Sequence, residues 1–188
     1  MLLVAAAREE LGDLRGEVLG VGPIVAAART AALLAHLQPD FVVMVGTGGS
    51  YVGGPPIGTA VAASRVGLSY GVAAMGLGYV PRQPLPVPCD EGLLRRLDIP
   101  QHSVLTTGAI TTDLTLAQRI ADGYTVEHLE AFGVAIACQQ AHVPFVAVMG
   151  ISNDAGPDAH TQWLTHRDAA QQAAREAIAP LLVEDVEG

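Results

Sequence analysis

Lysine is absent from the 188 residues, and all ten basic side chains are arginine. Without a lysine amine there is neither Schiff-base chemistry nor a Walker P-loop. Basic charge of any kind is scarce, because ten arginines face 19 acidic residues for a formal charge of -9. Phosphate backbones are bound through a basic field, so this balance argues against a nucleic-acid partner and leaves small substrates open. Cysteine is nearly as rare. Cys89 and Cys138 have neither metal-ligand nor redox spacing and read as two buried thiols, which fits a reducing, cytoplasmic setting. No apolar run is long enough to span a bilayer, and the start MLLVAAAREELGDL has no basic n-region, so no membrane association is expected. No metal or cofactor site is expected.

Apolar mass is abundant. With half of its residues hydrophobic, the chain can bury one core, and a single domain over residues 1–188 is expected. Short apolar runs at 2–7, 17–21, 41–46, 58–64, 102–107 and 143–151 read as buried strands. Between them, 23–38, 115–123, 129–142 and 161–182 have helical composition, with Pro23 suited to a first turn. Segment 65–90, rich in Gly and Pro, reads as one or two strands followed by a long surface loop. This alternation predicts an α/β fold with a mixed, mostly parallel sheet flanked by helices.

Four stretches carry candidate chemistry. In GVGPIVAAA (20–28), Gly20 and Gly22 precede a helix, but Val25 stands where a dinucleotide fingerprint needs its third glycine. A dehydrogenase is therefore the weakest reading, and the turn equally suits an anion or a substrate oxygen at a helix N-terminus. In VMVGTGGSY (43–51) a buried strand ends in a glycine turn that brings bare backbone to the sheet's carboxyl edge, where α/β ligands bind. In TVEHLEAFGVAIACQQ (125–140) a strand runs into an amphipathic helix. Glu130 precedes small apolar residues and should turn inward, where a carboxylate can accept the protons of a sugar diol, whereas Glu127 fits a helix-start acid facing the dipole. Glu9 and Glu10 follow the first strand; one of them over the glycine edge would serve as a general base, and a solvated helix start is the plainer alternative.

Taken in order, VAAAREEL, GVGPIVAAART, PDFVVMVGTGGS and VEHLEAFGVAIACQQAHVPFVAVMGISNDAG resemble the nucleoside phosphorylase and nucleosidase superfamily, most strongly over 126–156. The resemblance implies a three-layer phosphorylase-like fold acting on a purine nucleoside, commonly as a homo-oligomer. It implies that Glu10 activates water and that Glu130 holds the ribose hydroxyls, with Leu129 packing on the sugar. It places Thr47, Gly48 and Gly49 beside sugar and base, and makes Asn153 the purine contact, with Asp154 a loop residue. Met44 occupies the place of the arginine that grips phosphate in bacterial phosphorylases of the family, which favours water as nucleophile. Asparagine at 153, where methylthioadenosine enzymes have aspartate, offers a donor and an acceptor and suits a 6-oxopurine. The VE-x-x-E spacing and GISN-x-x-GP followed by a tryptophan look most like futalosine hydrolases, whose leaving base is hypoxanthine and which serve menaquinone biosynthesis. Phosphorolysis, methylthioadenosine/S-adenosylhomocysteine hydrolysis and nucleoside binding without turnover stay open. TTGAIT (106–111) lacks the family's base-stacking aromatic, and the ring of Phe132 is expected to narrow the sugar pocket.

Overall fold

The apolar runs pair into one mixed sheet, and in the computed structural model, which describes residues 1–183, they alternate with helices. The order is β1 (Leu2–Ala5), α1 (Arg8–Leu11), β2 (Glu17–Val18), α2 (Pro23–Leu37), β3 (Val42–Ser50) and β4 (Ala60–Leu68), then α3 (Gly71–Ala74), β5 (Val87–Pro88) and α4 (Glu91–Arg95). It continues with β6 (Gln101–Thr106), α5 (Leu114–Ile120), β7 (Val126–His128), α6 (Ala131–Ala141), β8 (Phe145–Asp154), α7 (Ala159–Ala177) and α8 (Ala179–Leu182). The last five residues of the expected domain lie outside the described residues.

Strand order is β2-β1-β3-β7-β6-β4-β5, with β8 joining β3 to β4. The β1–β2, β1–β3, β3–β8, β4–β6 and β6–β7 pairs are parallel, and β3–β7, β4–β5 and β4–β8 are antiparallel. The expected α/β class with a mixed sheet and flanking helices therefore holds. Pairing β8 to both β3 and β4 also closes a ring of β3, β7, β6, β4 and β8, a barrel-like closure that a three-layer description does not capture.

Val42, Val43, Met44 and Val45 of β3 are all fully buried, so both faces of this strand are covered, and an unbroken apolar run rather than an alternating one results. Met44 is thereby a core residue. Helix α6 lies against α2 and the sheet and is buried along nearly all of its length through Cys138; it is enclosed rather than amphipathic as expected. Gly133 permits its close approach to the Pro23 carbonyl of α2, and Gly150 in β8 lets the backbone of Ala170 in α7 lie directly on the strand.

Three expectations change in detail. The long C-terminal helix breaks after Ala177, and a separate turn begins at Ala179–Pro180, because proline starts a helical segment more easily than it continues one. Segment 65–90 begins as the second half of β4, then holds α3 and the short β5. The glycines of VMVGTGGS are not a turn: β3 continues through Ser50, paired with β8. Both cysteines are buried and unpaired, with burial pushing each thiol up to about 12. Among the described residues no helix is long and apolar enough to cross a membrane.

Candidate active site

β1 stops beside Val45 while β3 and β8 run on together to Ser50 and Asp154, and a cleft of about 250 Å³ opens over this carboxyl edge. All seven residues singled out from the sequence, Glu10, Thr47, Gly48, Gly49, Leu129, Glu130 and Asn153, line it.

Glu10 comes from α1 and is 9% exposed, whereas Glu9 beside it points to solvent. Its Oε2 accepts the N–H groups of Ala6 (3.0 Å) and Ala7 (3.1 Å), a carboxylate folding back on the start of its own helix. Oε1 accepts only one backbone N–H, that of Thr47 at 3.2 Å. Burial raises the Glu10 pKa above the usual carboxylate range; the neighbouring Glu130 adds to the rise, while His128 and the amides of Ala7 and Thr47 oppose it. A buried carboxylate held this way is a stronger base than a solvated one.

Glu130 stands at the start of α6, 4% exposed, and its Oε1 accepts the Gly22 N–H at 2.8 Å. Gly20 and Gly22 have φ of 91° and 100°, a conformation open to glycine, and the helix start they shape does receive an anion: the chain's own Glu130. Burial raises the Glu130 pKa, and the Gly22 amide partly offsets this.

The β3–β8 register slips between Gly48 and Gly49, which face Ile151 and Asn153, leaving Ser152 as the extra residue of a bulge. The Ser152 hydroxyl lies 2.9 Å from Asn153 Oδ1 and 3.3 Å from the Gly48 carbonyl. Asn153 Nδ2 donates to the Asp154 carbonyl at 3.1 Å, so the amide keeps one N–H and one lone pair for a ligand. A Cβ on Gly49 would stand 2.9 Å from Asn153 Nδ2, which explains why this strand position is glycine. Asp154 is exposed and pairs with Gln162 of α7, outside the cleft.

Two expectations fail here. Phe132 packs into the core and does not line the cleft, because its position on α6 faces inward; its amide donates to Thr106 Oγ1 at 2.8 Å. Glu127 is no helix-start acid. It lies on β7, 4% exposed, where its carboxylate accepts the Tyr51 hydroxyl (3.0 Å), the Thr111 N–H (2.9 Å) and the Thr111 hydroxyl. That carboxylate ties the 107–113 connection to the sheet and sets Ile110 against the cleft.

Two further residues of the cleft, His128 and Trp163, have no local mark in the sequence that places them there. The Trp163 indole N–H donates to Thr47 Oγ1 at 3.3 Å, and the Arg167 guanidinium stacks 5.0 Å from its ring centroid on the outer side. The tryptophan after GISNDAGP was visible in the sequence; its distance from Thr47 along the chain hid their contact. His128 sat unread between two glutamates. It is 4% exposed and lies among the cleft residues, and burial lowers its pKa to about 4, with Glu10 opposing. No arginine among the described residues lines the cleft. Among the described residues no three His, Cys, Asp or Glu side chains form a group able to hold a metal ion.

Fold and cleft together define an α/β protein with a carboxylate-lined site at the carboxyl edge of a mixed sheet. The chain belongs to the Phosphorylase superfamily, whose family pattern matches residues 15–184; Glu10 lies just ahead of that span. It is 30% identical over 182 residues to the futalosine hydrolase of Streptomyces coelicolor, covering 87% of this chain and 77% of that protein. It is 25% identical over 176 residues to the 5'-methylthioadenosine/S-adenosylhomocysteine nucleosidase of Geobacillus sp. (strain WCH70), covering 85% and 75%. The fold superposes with a TM-score of 0.82 on the 5'-methylthioadenosine/S-adenosylhomocysteine nucleosidase of Neisseria meningitidis in complex with methylthio-immucillin-A, at 19% identity and over 96% of this chain and 97% of that one.

Proposed function

We propose that the cleft hydrolyses the N-ribosidic bond of a purine nucleoside. The observation that carries this reading is Glu10: a buried carboxylate of raised pKa, with Oε1 holding a single backbone amide, in a cleft that no arginine lines among the described residues. Cleaving the bond builds positive charge on the ribose ring and negative charge on the departing base, so both ends need stabilising. Glu10 takes a proton from the attacking water, whose oxygen bonds to the anomeric carbon as the carbon–nitrogen bond breaks. The bonding electron pair leaves on the base nitrogen, which takes up one proton from solvent while Glu10 returns to solvent the proton it took from water. Glu130 Oε2, which lacks the Gly22 amide held by Oε1, accepts the ribose hydroxyls. Thr47, Gly48, Gly49 and Leu129 bed the sugar and the base, and the free amide valences of Asn153 face the purine.

Similarity to a futalosine hydrolase and to methylthioadenosine/S-adenosylhomocysteine nucleosidases supports hydrolysis as the reaction. Within it, the donor and acceptor of Asn153 favour a 6-oxopurine, hence a futalosine-like substrate releasing hypoxanthine, a reaction of menaquinone biosynthesis. Adenine release from methylthioadenosine is the second reading, motivated by the 25% identity to a nucleosidase of that name. The exposed Val72, Leu77, Tyr79 and Leu85 around α3 and the connection after it support a homo-oligomer that covers them.

The test is free-base release from futalosine, aminofutalosine, methylthioadenosine and inosine, each with and without phosphate. Phosphate-independent hypoxanthine release from futalosine is expected. No base from any substrate rejects the enzyme reading, strict dependence on phosphate replaces hydrolysis with phosphorolysis, and methylthioadenosine as the preferred substrate, releasing adenine, selects the second reading.

A further inference from the structure

His128 ends β7 with its ring turned into the space between the two carboxylates of the cleft. Its Nδ1 accepts two backbone donors, the N–H groups of Glu130 at 3.0 Å and Ala131 at 3.1 Å, at the start of α6. A nitrogen accepting two N–H bonds carries no proton, so the neutral ring must hold its proton on Nε2. The 3.4 Å approach of Glu130 Oε2 to Nδ1 is therefore not an ion pair, in keeping with a ring whose basicity burial has lowered. The other nitrogen faces β3. A Cβ on Gly46 would stand 2.9 Å from His128 Nε2 and 3.2 Å from Glu10 Oε1, so the two atoms flank the same bare stretch of strand.

We propose that His128 is a positioning residue for Glu10: anchored through Nδ1 on the first amides of α6, it presents Nε2–H across Gly46 to Glu10 Oε1. The role takes its chemical meaning from the hydrolytic reading above. Glu10 Oε2 is occupied by Ala6 and Ala7, so Oε1 is the oxygen left for water, and its direction and charge matter most. An N–H dipole turned toward Oε1 across Gly46, from beyond direct hydrogen-bond distance, favours the ionised carboxylate against burial and against the like charge of Glu130. The groups that face the ring are Glu10 from α1 and Glu130 from the β7–α6 junction. Glu127, on the same strand, is engaged with Tyr51 and Thr111, β3 offers the glycine, and β6 offers Thr106, whose hydroxyl accepts the Phe132 amide. Gly46, His128 and Glu10 then form one device: the glycine makes room, the histidine supplies the donor, and the helix start fixes the tautomer.

Two substitutions separate this role from mere packing. In His128→Asn the side-chain oxygen can still accept from the α6 amides while the donor facing Glu10 is lost; in His128→Gln a donor at Nε2 reach is kept. The Glu10 carboxyl titration is read in ligand-free protein by ¹³C NMR, assigned by the signal missing from Glu10→Gln. The midpoint is expected to move to higher pH in His128→Asn and to stay near the parent value in His128→Gln. In ¹⁵N-histidine spectra of the unsubstituted protein, His128 should be neutral with its proton on Nε2 at pH 7. Enzymatically, His128→Asn should lower kcat about tenfold or more and move the acid limb of kcat/KM to higher pH. An unmoved Glu10 midpoint in His128→Asn, or a proton on Nδ1, overturns the inference even if base is released. A shifted midpoint in a protein that releases no base upholds the coupling and instead rejects the hydrolytic reading.

Discussion

Gly46 has no room for a side chain, and the two atoms in the way belong to Glu10 and His128. Gly46→Ala should therefore displace the carboxylate or the imidazole while leaving β3 paired. The expected outcome is a loss of turnover of about a hundredfold with a stability cost of about 1–3 kcal/mol, checked by kinetics alongside chemical denaturation. Activity falling only in step with the folded fraction would count against the placement of these groups. Glu10→Gln tests the base itself: turnover should fall by about 10² to 10⁴-fold while nucleoside binding stays measurable by calorimetry. Near-normal turnover would remove Glu10 from that role. Local pattern alone left Glu9 and Glu10 undecided because both follow the first strand, and only the family resemblance pointed to Glu10; in the fold, amides from two elements converge on Glu10 while Glu9 faces solvent.

Elements hold the site through contacts that sequence patterns expose unevenly. Gly150 lies mid-strand under the Ala170 carbonyl of α7, so Gly150→Ala must push this helix, and Trp163 with it, off β8. A loss of about 1–3 kcal/mol or more is expected in urea unfolding, and a null effect would show that α7 can shift freely. Glu127 acts on the 107–113 connection. Thr111→Val removes the hydroxyl donor to its carboxylate, which should cost about 1–3 kcal/mol and raise KM more than it lowers kcat, because Ile110 forms part of the cleft wall. The strands and long helices were legible because their apolar runs are continuous and their caps local, as with Pro23 and Gly22 at the start of α2. Glu127 was not, because a carboxylate four residues ahead of a helix has the same local appearance whether it faces solvent or donors brought from two distant residues, Tyr51 and Thr111. The glycines of β3 misled for a related reason: glycine signals a turn locally, whereas here each is fixed by a neighbour from β7, β8 or α1 that only the sheet brings near.

At the scale of the whole molecule, closure of the strand ring assembles the cleft and also sets its cost. Pairing β8 with both β3 and β4 was invisible to a reading of runs and spacings, since register across distant strands leaves no local mark. What it does is bring Glu10, His128 and Glu130 into one buried cluster, and the signs of their titrations make that cluster measurable. His128 has a folded pKa of about 4 against 6.5 in the free state, so the unfolded chain binds its proton first. Its contribution is full above pH 6.5 and falls as pH drops toward 4, by on the order of 3 kcal/mol. Glu10 and Glu130 are raised above 4.5, so their contributions are full below that value and are lost as pH rises through their folded pKa values. The two slopes oppose each other, and single substitutions should separate them. Relative to the parent protein, His128→Asn should gain thermal stability as pH is lowered from 6.5 to 4, because the buried imidazole no longer resists protonation. Glu10→Gln should gain in the opposite direction, as pH rises above 4.5, because an ionised carboxylate no longer has to be held away from water. Melting temperatures of the three proteins between pH 4 and 8 check both slopes at once. Parallel profiles would mean that neither group changes its titration on folding, and the site would then lack the electrostatic cost that an activated carboxylate requires.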